Sequence, residues 1–571
     1  MRKEEKMCGI LGGNDRKWNY QSGIECMRHR GPDGIRVEAM EEITFAFARL
    51  AIIDLSLDGM QPMYSDDKKV CIVFNGEIYK YKELRKSLQK KYVFHSQTDT
   101  EVILYAYMEY GDRFIDKIDG MFAIAIYDRR CEKIKLFRDR VGVKPLYYYV
   151  LGDKFGFSSE LKGLVNMMNN SRLEIDKTAV YDFLTYTYIP EPKSVYKNIY
   201  KLEPAHYLVY DVKRKRIEKK AAYWRLKINT HEKGKEDFDA ARYELRKRIE
   251  TSVKAQMVAD VSVGTLLSGG VDSSVVTFES HKLDSQIQTF SMGFKAKDYD
   301  ELKYARQLVE LWNLNNYEKI FDQETFRDLY KNMKEWFDEP YADVSAFPTY
   351  SVLQMAKGKG ITVLLTGDGG DEVFGGYDVV DILYKKRGIN IRRISDFYEE
   401  NIRRSINKRA TFDRLLLDDV AYFSMKRNWA LRGQKIYYAK CLGIEKDYDD
   451  YWFIRKHYHK ELPPMTRAQI VDFHTFLPFV LNKVDRTSMA LSLEVRVPLL
   501  DREIIEYSFS LPQEIRCQKR LKKELLKQAY PEIPHNIKYR DKQGFGMPGQ
   551  YISMNERPCE AMLKQIWRNL L

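Results

Sequence analysis

The pattern of the chain changes near residue 235, and this change limits what the chain can fold into. Up to about residue 210, short runs of β-branched and aromatic residues are separated by turns, which is typical of β-strands. Beyond residue 235 the order becomes strand, glycine-rich turn and helix, which indicates a doubly wound parallel α/β sheet. At 571 residues the chain is also too long for one core. We therefore predict two domains, residues 8–210 and 235–571.

Single elements follow from the same patterns. The predicted strands of the first part are Ile43–Leu55, Val70–Phe74, Met121–Tyr127, Ile134–Phe137 and Leu146–Val150, and the predicted helix is Asp99–Tyr110. The charged stretch Lys213–Lys220 and the segment His231–Asp237 predict a solvated connection. In the second part, the strands Gly264–Leu267 and Ile361–Leu365 each precede a glycine-rich turn.

The composition narrows the class of protein. Seven cysteines are scattered along the chain without a Cys-x-x-Cys pair, which favours reduced thiols and a cytoplasmic protein. No apolar run approaches ~18 residues, and the charged N-terminus lacks the apolar segment of a signal peptide. We therefore expect a soluble protein without a membrane partner.

The net charge of +13 raises the question of nucleic-acid binding. The densest basic stretch, Lys385–Arg414, contains ten Lys or Arg residues, and apolar residues alternate with them at near-helical spacing. This pattern favours amphipathic helices with a solvated basic face. No zinc-finger, RNA-recognition or basic-zipper signature is present, so we expect no nucleic-acid partner.

Cys8 is the candidate nucleophile. If the chain begins at Cys8, directly after Met7, a free α-amine lies beside the thiol of the same residue. The amine has an ordinary pKa of ~7.7–8.0 and the thiol ~8.5, so transfer of the thiol proton to the amine costs only about 1.4 kcal/mol. The resulting thiolate is a nucleophile. Taken alone, Cys8 is more simply interpreted as a structural cysteine; the other motifs reverse this preference.

Residues 1–7 conflict with this chemistry. When they precede Cys8, its nitrogen is a peptide amide without basicity. The segment Arg2–Lys6 can be encoded almost entirely by purines, like a bacterial ribosome-binding site upstream of Met7. We therefore expect residues 1–7 to be a misassigned or removed extension.

The stretch Ser268–Ser274 is the candidate nucleotide-binding loop. It reads Ser-Gly-Gly-Val-Asp-Ser-Ser, follows a short apolar strand and opens the predicted helix Ser274–Ser280. Backbone N–H groups at such a helix start bind phosphate well. The loop lacks the lysine and spacing of GxxxxGK[ST] and instead resembles the SGGxDS motif of ATP pyrophosphatases, which adenylate their substrate and release pyrophosphate.

A second acidic loop follows the strand Ile361–Leu365. It contains Asp368, Asp371 and Glu372. Because the carboxyl ends of parallel strands share one edge, we expect Asp272 and Asp371 to hold Mg²⁺ across a bound polyphosphate.

With these motifs together, nearly the whole chain resembles the glutamine-dependent asparagine synthetases. The matching blocks of the first half are Arg30–Asp33, Arg49–Asp54, Asn75–Tyr79, Thr98–Glu101, Arg138–Tyr147 and Phe157–Glu160. Those of the second half are Ser268–Ser274, Asp338–Pro340, Thr366–Tyr377, Lys483–Arg486, Ser492–Pro498 and Gln543–Phe545. So many blocks in the family's order are very unlikely to arise by chance.

The resemblance implies an N-terminal-nucleophile glutaminase with an αββα sandwich, joined to the synthetase domain by an internal ammonia tunnel. Cys8 attacks the glutamine amide, and Asn75 with Gly76 forms the oxyanion hole. Arg49 holds the α-carboxylate of glutamine, and two acidic residues hold its ammonium group. The glutamine-binding residues implied in this way are Arg49, Leu50, Ala51, Ile52, Ile53, Asn75, Gly76, Glu77 and Asp99.

In the second domain, the resemblance implies a set of ATP-binding residues and two catalytic ones. Lys523 matches a lysine near the acyl-adenylate, although Lys519, Lys522 and Lys527 compete for this assignment. Asp368 occupies a position where some members of the family have glutamate. Its carboxylate could either assist the deprotonation of ammonia or contact the metal ion, and both roles are left open. The implied ATP-binding residues are Leu267, Ser268, Gly269, Gly270, Asp272, Ser273, Met292, Thr366 and Gly367.

The resemblance predicts an ATP-dependent amidation of aspartate by ammonia from glutamine, through β-aspartyl-AMP; a homodimer is left open. A rival is a related amidotransferase that acts on a carboxylate of a polysaccharide, peptide or natural product, because the motifs specify adenylation better than aspartate. A β-lactam-forming relative is disfavoured by Cys8, and a non-catalytic protein by the intact Cys8, Asn75, Asp272 and Asp371. Two departures, Phe47 for a frequent histidine and Lys80 for a frequent asparagine, affect no assigned chemical role.

Overall fold

The computed structural model describes residues 8–169, 173–295, 301–331, 333–377, 420, 432–445, 447–517 and 521–540. The predictions for residues 1–7, for Lys385–Arg414, for Lys519 and for Gln543–Phe545 lie outside the described residues. Within these ranges, no helix has the length and apolar character needed to cross a membrane.

The described strands fall into three sheets. In chain order they are β1 (Gly9–Gly13), β2 (Gly34–Met40), β3 (Ile43–Arg49), β4 (Met63–Tyr64), β5 (Val70–Tyr79), β6 (Asp119–Asp128), β7 (Lys133–Arg138), β8 (Tyr147–Leu151), β9 (Lys154–Ser158), β10 (Ile199–Lys201), β11 (His206–Asp211), β12 (Arg216–Ala222), β13 (Val263–Leu266), β14 (Gln288–Phe294), β15 (Asn315–Phe321), β16 (Val363–Leu365) and β17 (Glu494–Arg496).

The described helices pack on both sides of these sheets. They are α1 (Tyr20–Glu25), α2 (Tyr81–Leu88), α3 (Asp99–Tyr110), α4 (Leu161–Met167), α5 (Lys177–Tyr186), α6 (Phe238–Gln256), α7 (Val271–Leu283), α8 (Leu302–Trp312), α9 (Gln323–Tyr330), α10 (Met333–Trp336), α11 (Ala346–Gly358), α12 (Gly370–Phe374), α13 (Arg432–Leu442), α14 (Trp452–Arg455), α15 (Pro464–Thr475), α16 (Leu477–Met489), α17 (Arg502–Ser510), α18 (Gln513–Arg516), α19 (Glu524–Ala529) and α20 (His535–Lys538).

The first domain is an αββα sandwich, as the resemblance implied. Its two six-stranded antiparallel sheets have the orders β10-β8-β9-β1-β3-β2 and β12-β11-β7-β6-β5-β4. Apolar side chains of both sheets, such as Phe45 and Val73, form the core between them. Helices α1, α4 and α5 cover one outer face, and α2 and α3 cover the other. Strand β1 is interior to its sheet, which fixes the position of the residue before it, Cys8.

The second domain contains the predicted parallel α/β sheet. Its five strands have the order β15-β14-β13-β16-β17 and all pair in parallel. Helices α6, α7 and α17 pack on one face, and α11 and α16 on the other. The predicted strands Gly264–Leu267 and Ile361–Leu365 correspond to β13 and β16, so the glycine-rich loops that follow them lie at one edge of the sheet.

The prediction of a solvated connection at Lys213–Lys220 is wrong. The segment forms the turn and most of β12, which pairs antiparallel with β11 at the end of its sheet. Strand β12 pairs with a neighbour on only one of its two edges, and one of its faces is exposed to solvent. It therefore tolerates charged residues, and these charged residues led to the prediction of a linker. The following segment, His231–Asp237, contains no helix or strand and is largely exposed, as expected.

Buried ion pairs hold the two domains together. The Arg30 guanidinium donates to both carboxylate oxygens of Asp485, at 3.0 and 3.1 Å, and to Glu160 at 2.6 Å. Arg486 continues this network to Glu160 and Asp338. Two of these contacts, Arg30–Asp485 and Arg486–Glu160, join the two halves of the chain. The domain interface is therefore specified by charge geometry as well as by apolar packing.

Candidate active sites

Cys8 lies at the start of β1, with its thiol against the backbone of Leu50. The thiol donates to the Leu50 carbonyl at 3.4 Å, and the Leu50 N–H donates to the sulfur at 3.2 Å. The Arg30 side chain donates to the Cys8 carbonyl at 3.2 Å, which fixes the residue from the other side. Burial raises the pKa of the Cys8 thiol to about 12. The thiol is therefore neutral at pH 7 and needs a base to become a nucleophile.

Asn75 and Gly76 lie together on β5 beside Cys8. The Asn75 amide donates to the Ser159 hydroxyl at 3.5 Å, and the same hydroxyl accepts the N–H of Ile10 at 3.0 Å. Gly76 has a φ of +149°, and a β-carbon there would lie 2.0 Å from the Met121 carbonyl oxygen. Only glycine fits this position. Asn75 and Gly76 both line the pocket that contains the thiol, the position that the predicted oxyanion hole requires.

Arg49 ends β3 and is held by backbone carbonyls. Its guanidinium donates to the Asp54 carbonyl at 2.5 Å and also to the Ser56 carbonyl. Gly59 is needed beside it, because a β-carbon there would lie 2.4 Å from Arg49 Nη2. Eight of the nine predicted glutamine-binding residues line one cavity with Cys8: Arg49, Leu50, Ile52, Ile53, Asn75, Gly76, Glu77 and Asp99. The ninth, Ala51, lies outside the lining, and its N–H donates to Asp33 at 3.0 Å.

Part of the lining of this cavity is strongly acidic. Asp99 accepts the N–H of Ile78 at 2.8 Å, and burial nevertheless raises its pKa to about 7. Burial, followed by the negative charge of Glu494, holds the pKa of Glu77 well above its usual range. Glu494 also lines the cavity, although it belongs to the second domain. A buried group of carboxylates of this kind favours a cationic ligand group such as an ammonium ion.

The predicted nucleotide loop has the expected geometry. Residues 267–270 connect β13 to α7, which begins at Val271 and not at Ser274 as predicted, and Gly269 has a φ of +75°. A β-carbon at Gly269 would lie 2.8 Å from the Ala305 nitrogen. The Ser268 and Ser273 hydroxyls lie 3.0 Å apart and form a contact across the loop. The start of a 13-residue helix thus faces an open loop of glycine and serine, an arrangement that suits a phosphate group.

The second acidic loop meets this loop at Lys523. Lys523 Nζ lies 2.5 Å from Asp371 Oδ1 and also pairs with Asp272. Of the competing lysines, Lys527 lies over the Tyr539 ring, and Lys519 lies outside the described residues. Two carboxylates that contact one ammonium group are also close enough to share one metal ion, and Mg²⁺ bound to a polyphosphate needs few carboxylates. The donor set therefore fits Mg²⁺.

The remaining predicted ATP-binding residues surround the same loops. The Leu267 carbonyl accepts the Ser291 hydroxyl at 2.8 Å, one residue before the buried Met292. Gly367 has no room for a side chain, because a β-carbon would lie 2.5 Å from the Ser273 nitrogen. The Thr366 hydroxyl donates to the Asp368 carboxylate at 2.8 Å, and this hydrogen bond orients the carboxylate within the loop. Gly270 caps the start of α7 and accepts the Ser274 hydroxyl at 2.7 Å.

An apolar core runs between the two sites. Side chains of the first domain, including Leu50 and Met121, pack with Leu267 and Val497 of the second in one cluster. A cavity at the interface is lined by apolar side chains such as Met121, Val143 and Val497, and also by the charged residues Asp119, Arg140, Asp501 and Arg502. The cysteine pocket and the nucleotide loops thus border one shared interior.

Sequence reasoning missed the contribution of Glu494 and Arg496 to the glutamine pocket. Both were noted only as members of the block Ser492–Pro498. Arg496 Nη2 lies 3.7 Å from Glu77 Oε2. Nothing in the local sequence indicates this contact, because it joins strands of different domains that are far apart in the chain.

The fold and the two sites define a two-domain, ATP-using, glutamine-dependent amidotransferase. Residues 244–569 match the asparagine synthase family, and residues 7–224 match the glutamine amidotransferase domain. The chain therefore belongs to the asparagine synthase family, whose glutamine-hydrolysing members are carbon–nitrogen ligases.

Two relatives show the extent of the similarity. The glutamine-hydrolyzing asparagine synthetase 1 of Bacillus subtilis (strain 168) is 31% identical over 594 aligned positions, which cover 96% of this chain and 88% of that protein. The putative glutamine-hydrolyzing asparagine synthetase 2 of Methanocaldococcus jannaschii is 39% identical over 399 positions, 65% of this chain and 76% of that protein. The first similarity spans both domains.

Proposed function

We propose that this chain converts aspartate to asparagine with ammonia from glutamine, while ATP is cleaved to AMP and pyrophosphate. The observation that supports this most directly is the common apolar interior between the Cys8 pocket and the loops that contain Asp272 and Asp371. A pocket that makes ammonia next to a site that activates a carboxylate is suited to amide transfer.

Glutamine binding follows from the charges of the cavity. The Arg49 guanidinium presents two planar donors to the α-carboxylate, while Glu77 and Asp99 receive the ammonium group. The side-chain amide then lies toward Cys8, between the thiol and the donors of Asn75 and Gly76. Because residues of opposite charge hold the α-carboxylate and the ammonium group, the amino acid binds in a single orientation.

The glutaminase step uses Cys8 as nucleophile and its own α-amine as base. The amine takes the thiol proton, and the thiolate attacks the amide carbon to form a tetrahedral oxyanion that Asn75 and Gly76 stabilise, with ~3 kcal/mol per donor. Collapse breaks the carbon–nitrogen bond and releases ammonia with the transferred proton. Water then cleaves the thioester to give glutamate and the free thiol. Because burial raises the pKa of the Cys8 thiol, the thiol is neutral and must lose its proton to a base before it can attack.

The synthetase step takes place at the nucleotide loops. The β-carboxylate of aspartate attacks the α-phosphorus of ATP, the bond to pyrophosphate breaks, and β-aspartyl-AMP forms. Ammonia attacks the acyl carbon and displaces AMP. The loop Ser268–Ser274 cradles the phosphates, and the buried ammonium of Lys523 stabilises charge on the transferring phosphoryl group. We propose that ammonia reaches this site through the apolar interface rather than through solvent.

Asp272 and Asp371 are the residues that would hold Mg²⁺, which when bound neutralises charge on the polyphosphate. In the described ranges no cluster of three or more His, Cys, Asp or Glu side chains could hold a metal ion. The pair is oriented by its loops: a β-carbon at Gly370 would lie 2.5 Å from Asp272 Oδ1.

Oxygen labelling tests the adenylation step. With ¹⁸O in the β-carboxylate of aspartate, direct attack on the α-phosphorus transfers one labelled oxygen to AMP. We expect labelled AMP and unlabelled pyrophosphate by mass spectrometry. Unlabelled AMP, or ADP with phosphate, would refute adenylation. Turnover of another carboxylic acid with no turnover of aspartate would refute only the choice of acceptor.

A further inference from the structure

Strand β17 belongs to the synthetase sheet, but its Glu494 lines the glutaminase pocket and its Arg496 contacts Glu77 of that pocket. It pairs with β16 at the end of the parallel sheet, with Glu494 opposite Val363 and Arg496 opposite Leu365. Because side chains alternate along a strand, Glu494 and Arg496 share one face. That face is turned toward the first domain, where both residues approach Glu77.

The side chain of Arg496 joins four partners. Its Nε lies 2.6 Å from Glu494 Oε1, and its Nη2 lies 3.7 Å from Glu77 Oε2. Its Nη1 donates to the carbonyls of Gln256 and Val258, at 2.7 Å each. These carbonyls lie at the C-terminal end of α6, where partial negative charge accumulates. A planar guanidinium satisfies this geometry, whereas a single ammonium group cannot contact all four partners.

A cationic ligand would change the charge balance of this cluster. Glu77, Asp99 and Glu494 are all buried, and Arg496 is the cation that directly contacts two of them. The ammonium group of a bound amino acid would supply a second positive charge beside Glu77 and Asp99. Binding of this ammonium group changes the attraction of Arg496 to Glu77 relative to its attraction to Glu494, because Coulomb interactions are strong in a buried site.

The main chain of Arg496 leads to the other site. Its carbonyl accepts the N–H of Thr366 at 3.0 Å, at the point where β16 enters the second acidic loop. The Thr366 hydroxyl then donates to Asp368 at 2.8 Å. One residue therefore contacts the ammonium end of the glutamine pocket through its side chain and the nucleotide loop through its backbone.

We propose that Arg496 is a positioning residue that couples occupancy of the glutamine pocket to the nucleotide loop of Thr366 and Asp368. Glutamine changes the charge around Glu77 and thereby the position of Arg496 between Glu77 and Glu494, and so fixes β17 and the attached loop in the arrangement that binds nucleotide. By linkage, nucleotide tightens glutamine binding by the same factor. This inference rests on the proposed function, since it assumes that the acidic cavity binds glutamine.

Calorimetry on Cys8→Ala protein, which cannot form the thioester, tests this coupling. The Kd for glutamine is measured with and without Mg²⁺ and α,β-methylene-ATP, and the ratio gives the coupling factor. We expect a factor of about fivefold or more. Adding R496K, which keeps the charge but not the planar donor set, should reduce the factor to below about twofold.

R516K is the matched control. Arg516 is equally buried, but its contacts with Leu511, Thr466 and Gln469 stay within the second domain. We expect the Cys8→Ala, R516K protein to keep the coupling factor. If R496K does not fold, E494Q replaces it, because loss of the closest partner of Arg496 should lower the factor in the same way.

Three results would overturn the inference: no coupling in the Cys8→Ala protein, an unchanged factor in R496K or E494Q, or an equal loss in R516K. Failure of the proposed function is distinguishable from all three. In that case the Cys8→Ala protein binds no glutamine, and the protein with Cys8 releases no glutamate.

Discussion

Lys523 Nζ lies 2.5 Å from Asp371 Oδ1 and pairs at the same time with Asp272, so one buried ammonium group joins the two acidic nucleotide loops. Asp272 follows the first glycine-rich turn, and Asp371 follows the second. The contact places the predicted catalytic lysine next to the two predicted metal ligands. It also shows that these loops, almost a hundred residues apart, form one site.

The first prediction concerns this lysine. Lys523→Met should slow pyrophosphate release by about 10²–10³-fold, because a fixed positive charge at the transferring phosphoryl group is lost. The matched control is Lys522→Met, since the neighbouring side chain is only partly buried. Pyrophosphate is measured by a coupled assay with ATP, aspartate and ammonium. Equal rates in the two variants would remove Lys523 from the reaction.

Cys8→Ala should abolish glutamate formation and preserve synthesis from added ammonium. The nucleophile is removed, but the synthetase site needs ammonia rather than glutamine. Cys26→Ala is the control, because the Cys26 thiol donates to the Gly23 carbonyl of its own helix and does not line the Cys8 cavity. Loss of both activities in folded Cys8→Ala protein would contradict separate sites.

A protein that begins at Cys8 should hydrolyse glutamine, and one that retains residues 1–7 should have little glutaminase activity. The extension turns the proposed base into an amide, and seven residues reach up to roughly 23–25 Å when extended. Intact mass identifies the N-terminus of each preparation, and ammonium-dependent synthesis serves as the control for folding. A fully active glutaminase that still carries Met1 would refute the free-amine mechanism.

Glutamine binding should strengthen as the pH rises toward 7. Burial raises the pKa of Asp99 to about 7, so its carboxyl is neutral in acid, whereas an ammonium ligand prefers the charged form. In Cys8→Ala protein, affinity should rise by up to about tenfold per pH unit below pH 7. Asp99→Asn should bind weakly and lose this dependence; an identical profile in both proteins would contradict the assignment. The raised pKa also means that the ligand-free fold loses stability as the pH rises from about 4 to 7.

The sequence predicted much of the fold because several elements have strong local signals. Helix Asp99–Tyr110 is found with the predicted bounds, and the glycine-rich loops follow β13 and β16 as expected. The charged edge strand β12 was mistaken for a linker, because solvent covers one side of it and no apolar alternation remains.

The sites were predictable only in part. Motifs gave Cys8, Arg49 and Asn75 but left several lysines as candidates, and only the tertiary contacts of Lys523 separate them. The presence of Glu494 in the lining of the glutamine pocket, and the contact of Arg496 with Glu77, depend on how two domains pack. Such contacts have no local sequence signal.

The central claim is that the amide nitrogen of glutamine is transferred to the β-carboxylate of aspartate. The most direct measurement supplies glutamine labelled with ¹⁵N in its amide, together with aspartate, ATP and Mg²⁺, and determines the products by mass spectrometry. We predict asparagine that carries ¹⁵N, with AMP and pyrophosphate in equal amounts. Labelled ammonia with no labelled asparagine, although glutamate and AMP accumulate, would contradict the account.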